Sequence, residues 1–344
     1  MKPPRKMVHR NERGVVIIWS AFFMLMMLGF VALGIDVAKV MATRTELQNA
    51  ADAAALAGAS ALNLTTGQLM PDSALARAQF TASGNRAFVD APVPVTLLAA
   101  DVQVDAAERT VRVTVRRNDA TDGSMITHVA QVLGITRVDL NATATAKAEK
   151  ACEQCEKMVP MGAVPPKGEK NFQVGCNFNY LLKSAGNGSG AVAPGNYLAL
   201  DFPECDEGPC SGMSPTGAST FRCLLEHGYG CCIRIGQVIQ TEPGTMAGPT
   251  RQGLNARWDA DTDQAQNICY SDYRGNGNRV VNVPIITPIG NGRTRVTVTG
   301  LAAFFLTRRP PNNGDIFAEF IYEVAPGGTG GGCNSNVFTI RLIE

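Results

Sequence analysis

Ten cysteines and three histidines are the side chains best suited to chemistry, and their spacing narrows what that chemistry is. His227 stands among cysteines, in the order Cys223, His227, Cys231, Cys232. Zinc takes four such sulfur and imidazole ligands, but this spacing is not that of a zinc finger. Cys152-x-x-Cys155 has thiol-redox spacing yet lies in a linker, so structural disulfides are expected. Asp259, Asp261 and Asp263 alternate as in a calcium loop. An EF-hand needs Gly and Glu where this chain has Gln264 and Tyr270, so a solvated acidic turn is expected. The RGNGNR segment, Arg274 to Arg279, offers backbone amides to an anion, but no phosphate-loop pattern surrounds it and a simple turn is expected. No Ser/His/Asp order or paired-carboxylate motif stands out. The reading is non-enzymatic: no catalytic residue, no cofactor and no metal.

The cysteines are Cys152, Cys155, Cys176, Cys205, Cys210, Cys223, Cys231, Cys232, Cys269 and Cys333; the first 151 residues hold none. An even number in an exported domain reads as a disulfide framework. The neighbours Cys231 and Cys232 should take different partners, because a bridge between adjacent residues is strained.

Export is argued from the N-terminus. Residues 1–13 carry Lys2, Arg5, Lys6, Arg10 and Arg13 against Glu12 alone. The 21 residues Val15 to Ile35 then contain no charge. As a helix they rise about 32 Å, which matches a hydrocarbon core of ~30 Å. A secretory signal has an apolar region of only ~7–15 residues, so a retained membrane anchor is expected. The basic tail keeps its end in the cytoplasm, leaving the remainder periplasmic or surface-exposed. A net charge of +1 and 6% aromatic residues give no ground for nucleic-acid binding.

These residues must be carried by elements, and the pattern supplies them. Helical character continues past Asp36 through an alanine-rich stretch without proline, so one helix is expected from Val15 to Leu62. Val37, Val40, Leu47, Ala51 and Ala54 form a narrow face suited to close helix packing. That face meets either partner helices or the protein's own domain. A second helix is expected from Asp72 to Arg86 and a third from Met125 to Leu133, closed by Gly134. Strands are expected at Val93–Leu98, Thr110–Arg116, where TVRVTVR alternates, and Val138–Ala148. Gly and Pro make up 13 of the first 150 residues and 41 of the last 194. The second region should therefore be loop-rich and mainly β. A hairpin is expected on either side of Gly290-Asn291-Gly292, with Pro284 and Pro288 confining its first strand to an edge. A further strand is expected at Ile316–Val324 and a loop at Gly327–Gly332. The expected organisation is a basic tail at 1–14, a transmembrane helix at 15–35, a helical extension with a small α+β domain at 36–150, and a Cys-rich mainly-β domain at 151–344. The fold class is α+β.

Arg13-Gly14, the apolar run, Ile35-Asp36-Val37, Arg44 and above all LQNAADAAALA from Leu47 to Ala57 resemble the N-terminus of TadE/TadG-like proteins of the Flp (tight-adherence) pilus. The likeness is strong over about 50 residues and looser to residue 150. EPGTMAGPTRQG, from Glu242, is similar to a string in longer TadG-like proteins. The resemblance implies an inner-membrane, minor pilin-like or anchoring protein. Its partners would be other pilus-assembly proteins met through the N-terminal helix, as homo- or hetero-oligomers. Two features depart from the family. Trp19 stands where prepilin peptidases favour Glu, and Asp122-Gly123-Ser124 lacks the rest of a von Willebrand A metal motif. An envelope-anchored binding protein or adhesin with a disulfide-rich ligand domain is the alternative.

Overall fold

The computed structural model describes residues 13–87, 93–155, 157–166, 172–176, 178–183, 198–242, 244, 246–287, 293–311, 316–324 and 329–343. Residues 1–12 of the basic tail, the turn at Gly290–Gly292, Pro288 and part of the loop at Gly327–Gly332 lie outside them. Contacts divide the chain into two compact units. The first is Met1–Ala55, Arg77–Gln103 and Arg112–Ala144; the second is Leu56–Ala76, Val104–Val111 and Thr145–Glu344. The fold is α+β, with a long N-terminal apolar helix.

Helix α1 (Arg13–Ala59) is continuous over 47 residues, as expected from the run of helix formers uninterrupted by proline. Asn63 then organises a turn, its Oδ1 accepting from the Thr65 and Thr66 amides at 2.9 and 3.0 Å. Helix α2 (Pro71–Gly84) opens on proline, whose missing N–H costs nothing at a helix start. Within the second unit, Gly58 allows a tight approach: a Cβ there would lie 2.9 Å from Val111 Cγ1 and 3.3 Å from the Ala74 carbonyl.

In the first unit, strand Thr110–Arg117 buries Val113 and Val115 and exposes Arg112 between buried neighbours, as the alternation predicts. It lies beside strand Leu140–Lys150, where the Thr114 and Thr143 hydroxyls meet at 3.2 Å. The helix expected at Met125–Leu133 is not formed. Met125–Ile126 instead pairs antiparallel with Arg137–Val138, and only Ala130–Leu133 is helical, as a short 3-10 turn. Gly134 closes that turn at φ 86°, where a side chain would be strained. Near residue 93 the strand is limited to Val93–Pro94.

The second unit is built on an antiparallel sheet. Its order is Leu200–Asp201, Val238–Thr241, Arg295–Phe305, Ile316–Ile321, Asn179–Lys183, and Val280–Ile286 also pairs with Arg295–Phe305. Pro284 sits in that last ladder opposite Leu301, and the register slips one residue later, between Ile285 and Ile286. Val337–Leu342 pairs antiparallel with Ala146–Lys150 and parallel with Glu323–Val324. Along the central strand, Leu301, Ala303 and Phe305 enter one core cluster, whereas Ala302, Phe304 and Leu306 enter another. Both faces of the sheet are therefore covered, which is why LAAFFL reads as an unbroken apolar run.

Two helices accompany the strands of this mainly-β region: α3 (Ala218–His227) and α4 (Ala247–Asp259). They cross at Gly253, where a Cβ would lie 2.6 Å from Leu225 Cβ and 2.8 Å from the Arg222 carbonyl. This gives part of the EPGTMAGPTRQG string a physical role. Most of it forms the first turns of α4, and its last glycine is the crossing point.

Candidate functional site

Helix α1 changes character at one residue. Every large apolar side chain from Val16 to Leu28 is more than half exposed, and the strongest hydropathic stretch has none of its length covered by protein. Asp36 follows that run and is 3% exposed. Its carboxylate accepts three consecutive backbone amides: His128 at 3.0 Å, Val129 at 2.7 Å and Ala130 at 2.8 Å. Those are the amides that the 3-10 turn at Ala130 leaves without internal partners, so Asp36 caps it from 92 or more residues away. This demand on the 128–130 amides is one physical reason the region does not form the expected longer helix.

Beyond Asp36 the predicted packing face divides. Val37 is 46% exposed and Val40 half-buried, whereas Leu47, Ala51 and Ala54 are fully buried, together with Ala50 and Ala55. The lower part of the face thus packs inside the protein's own fold rather than waiting for a partner helix. Gln48 fixes it there, donating to the Thr143 carbonyl at 3.2 Å and to Asp52 at 2.7 Å. Met41, Arg44, Thr45 and Asn49 remain exposed on other faces.

All ten cysteines are paired, as Cys152–Cys333, Cys155–Cys232, Cys176–Cys269, Cys205–Cys231 and Cys210–Cys223. The zinc quartet is dispersed: Cys223, Cys231 and Cys232 each go to a different partner. His227 ends α3 half-exposed, 3.7 Å from Glu226. Cys152 and Cys155 do not pair with each other. Cys231 and Cys232 take different partners, as expected.

The acidic turn is not solvated throughout. Asp261 is 4% exposed and accepts from the Asp263 amide at 2.8 Å, the Arg279 amide at 3.1 Å and the Tyr273 hydroxyl. Burial, and then the Asp261 carboxylate, push the Tyr273 phenol well above its usual range. The Arg274 and Ala265 amides hold Asp263 below the usual carboxylate range, and Asp259 pairs with Arg309 at 2.9 Å. The three carboxylates are engaged by protein donors, so the turn is a structural knot.

RGNGNR turns amides into the fold, Gly277 donating to the Tyr273 hydroxyl at 2.7 Å and Arg279 to Asp261 at 3.1 Å. Its final Arg279 is fully buried and spends its guanidinium on carbonyls of Leu306, Asp263, Ala265 and Thr307 at 2.8–3.1 Å. The group lies 3.9 Å over the Trp258 ring and 4.5 Å over Phe305. A buried cation is tolerable when every donor is met and aromatic faces surround it.

Two further charge groups have no signature in the sequence. Arg257 is lowered to about 10 by burial, while Glu323 is raised by burial and drawn back by Asn282, Lys157 and Arg257. Glu242 is buried, with Oε2 unpartnered; burial first, then Asp201, push it up to about 7. Arg293 pairs with Asp201. Glu242 heads EPGTMAGPTRQG, but nothing local marks it as half of a carboxyl pair.

No curated protein and no solved structure matches the chain. The matched region instead coincides with α1 and the turn that follows it: residues 14–61 fit the Tad family model, described as Flp pilus-assembly TadE/G-like, and over that segment the chain is similar to such proteins.

Proposed function

We propose that the chain is a non-enzymatic, single-pass component of Flp pilus assembly, minor pilin-like or anchoring. One observation carries this reading. The segment that fits the TadE/G-like model is a single continuous helix whose first half has no protein cover and whose second half is built into a folded domain. Such a helix transmits position rigidly between bilayer and domain. The basic tail supports a cytoplasmic N-terminus, with the disulfide-stapled unit in the periplasm or at the surface, where thiols oxidise. Because Leu47, Ala51 and Ala54 are occupied internally, contact with other pilus-assembly proteins falls to the membrane half of α1 and to its exposed flank at Met41, Thr45 and Asn49.

Deleting the gene and imaging pili tests the assignment. Loss of pili, restored by the full chain but not by a chain lacking residues 1–35, supports it. Normal piliation in the deletion strain refutes it. Alkaline carbonate washing should leave the protein in the membrane, and protease added to spheroplasts should remove nearly all of its mass.

A further inference from the structure

The segment that Asp36 binds is ordered, and it shows the wrong chemistry for a water-facing surface. Met125–Ile126 and Arg137–Val138 close its base. Inside, the Ile135 amide donates to the Ala130 carbonyl at 3.1 Å and the Gly134 amide to the Gln131 carbonyl at 3.0 Å. Gln131 Nε2 donates to the His128 carbonyl at 2.7 Å. The backbone is thus fixed, yet Val132 is 84% exposed, Ile126 58% and Ile135 51%. Three large apolar side chains on one fixed loop thus stay in water, a cost that docking on an apolar surface would remove.

The occupant follows from where the loop is tied. Its amides sit 2.7–3.0 Å from the carboxylate of Asp36. That residue is one helical rise, about 1.5 Å, beyond the last residue of the apolar run. On α1 itself the exposed apolar surface runs through Leu33 and Ile35 up to the tie and on to Val37 just past it. The loop's backbone and the end of the apolar run on α1 are therefore tied together at one level by a single carboxylate. Interfacial elements bury their apolar face about 5–10 Å into the headgroup–acyl boundary, a depth within reach of side chains fixed at this level.

We propose that the 126–135 loop docks onto the phospholipid surface from which α1 emerges, with Val132, Ile135 and Ile126 inserted and Asp36 setting the depth. The partner is the lipid of the bilayer that α1 crosses, so the inference rests on α1 being a membrane span. The consequence is that the domain is held at a fixed tilt and height over the membrane instead of swinging on a single helix.

The test uses the full chain in phosphatidylcholine–phosphatidylglycerol vesicles. All ten cysteines are paired, so an introduced cysteine is the one reactive thiol. An environment-sensitive NBD label is placed by Val132→Cys, by Met26→Cys within the apolar run, and by Asn49→Cys, an exposed α1 position about 20 Å beyond Asp36. Ile135→Cys provides a second reporter should Val132→Cys fold poorly. At 26, 132 and 135 the emission should be blue-shifted and strongly quenched by lipids brominated high on the acyl chain; at 49 it should not. Asp36→Asn should weaken the quenching at 132 and leave position 26 unchanged. Quenching at 26 with water-like, unquenched emission at 132 and 135 overturns the inference and spares the membrane span. No quenching at 26 removes both. A label at 132 shielded from water but untouched by brominated lipid would mean that protein covers the loop, which also overturns it.

Discussion

The second unit holds all ten cysteines and the first holds none. In the second unit, large aromatic rings fill the interior: Phe172, Tyr180, Phe304 and Phe320 pack mostly edge to face, their centroids 4.8–6.5 Å apart. Buried charges such as Arg279 and Arg257 are matched to backbone carbonyls. In the first unit alanines dominate the buried side chains, with Ala50, Ala51, Ala54 and Ala55 on α1, Ala78 and Ala82 on α2, and Ala142 and Ala144 on a strand, beside a few larger residues such as Leu47, Val113 and Val115. Small side chains let backbones approach closely but bury little apolar area each. The first unit therefore leans on directional ties, such as Asp36 to the 128–130 amides and Gln48 to Thr143. The second combines bulk burial with covalent closure. This contrast locates fragility: chemical reduction should damage one unit, and single-residue changes on α1 the other.

The largest effect should come from opening the longest closure. Cys152 and Cys333 are 181 residues apart, whereas Cys210 and Cys223 are 13 apart. Replacing the first pair by serine should cost about 4–5 kcal/mol and replacing the second about 3, if unfolded-chain entropy dominates. Urea melts of both variants check the order. The unreduced, denatured chain should show no reactive thiol, and reduction should expose ten. Equal destabilisation by the two variants would mean that the other bridges already supply the long closure.

Next comes Asp36→Ala, which strands three amides near a buried site. A loss of stability is expected, because donors left without an acceptor inside a fold are costly. Hydrogen exchange should accelerate at His128, Val129 and Ala130 while the stapled unit keeps its protection. Ala51→Leu tests the small-residue interior and should cost about 1–3 kcal/mol by overpacking. Asn49→Leu, on an exposed face of the same helix, should be near neutral. Similar costs for the two would show that the Ala51 site can expand, weakening the contrast between the units.

The smallest effect concerns pH in the second unit. Burial, with Asp201 beside it, pushes folded Glu242 up to about 7, while the unfolded chain titrates near 4.5. The folded state thus holds the proton more tightly. Its stabilising contribution is complete below pH 4.5 and lost as pH rises through about 7. Glu242→Gln should match the parent near pH 4 and exceed it by on the order of 1 kcal/mol at pH 8. Thermal melts at pH 4.5, 6 and 8 provide the comparison. Parallel curves would mean that Glu242 is already ionised in the fold.

Local chemistry determined a good deal. Twenty-one uncharged residues followed by an alanine-rich stretch free of proline can form little but one long helix, and α1 is that helix. Alternation in TVRVTVR fixed a strand with buried valines. Cysteine number and the strain of a vicinal bridge implied full oxidation with separate partners for Cys231 and Cys232. What tertiary structure decided involves partners far apart in the chain. Helices α3 and α4 have only 10 and 13 residues, too short to be stable alone, and they exist because they cross at Gly253. Spacing on α1 named Leu47, Ala51 and Ala54 as packing residues but did not say against what, since one helical face serves a neighbour or an interior equally. Arg279 reads as part of an exposed turn until the fold brings Leu306 and Thr307, 27 and 28 residues on, to its guanidinium. Asp36 looks like the polar end of a membrane span until the amides of residues 128–130, 92 to 94 residues on, meet its carboxylate. Period and composition act over a few residues, whereas a buried charge is stabilised only by whatever the whole chain places around it.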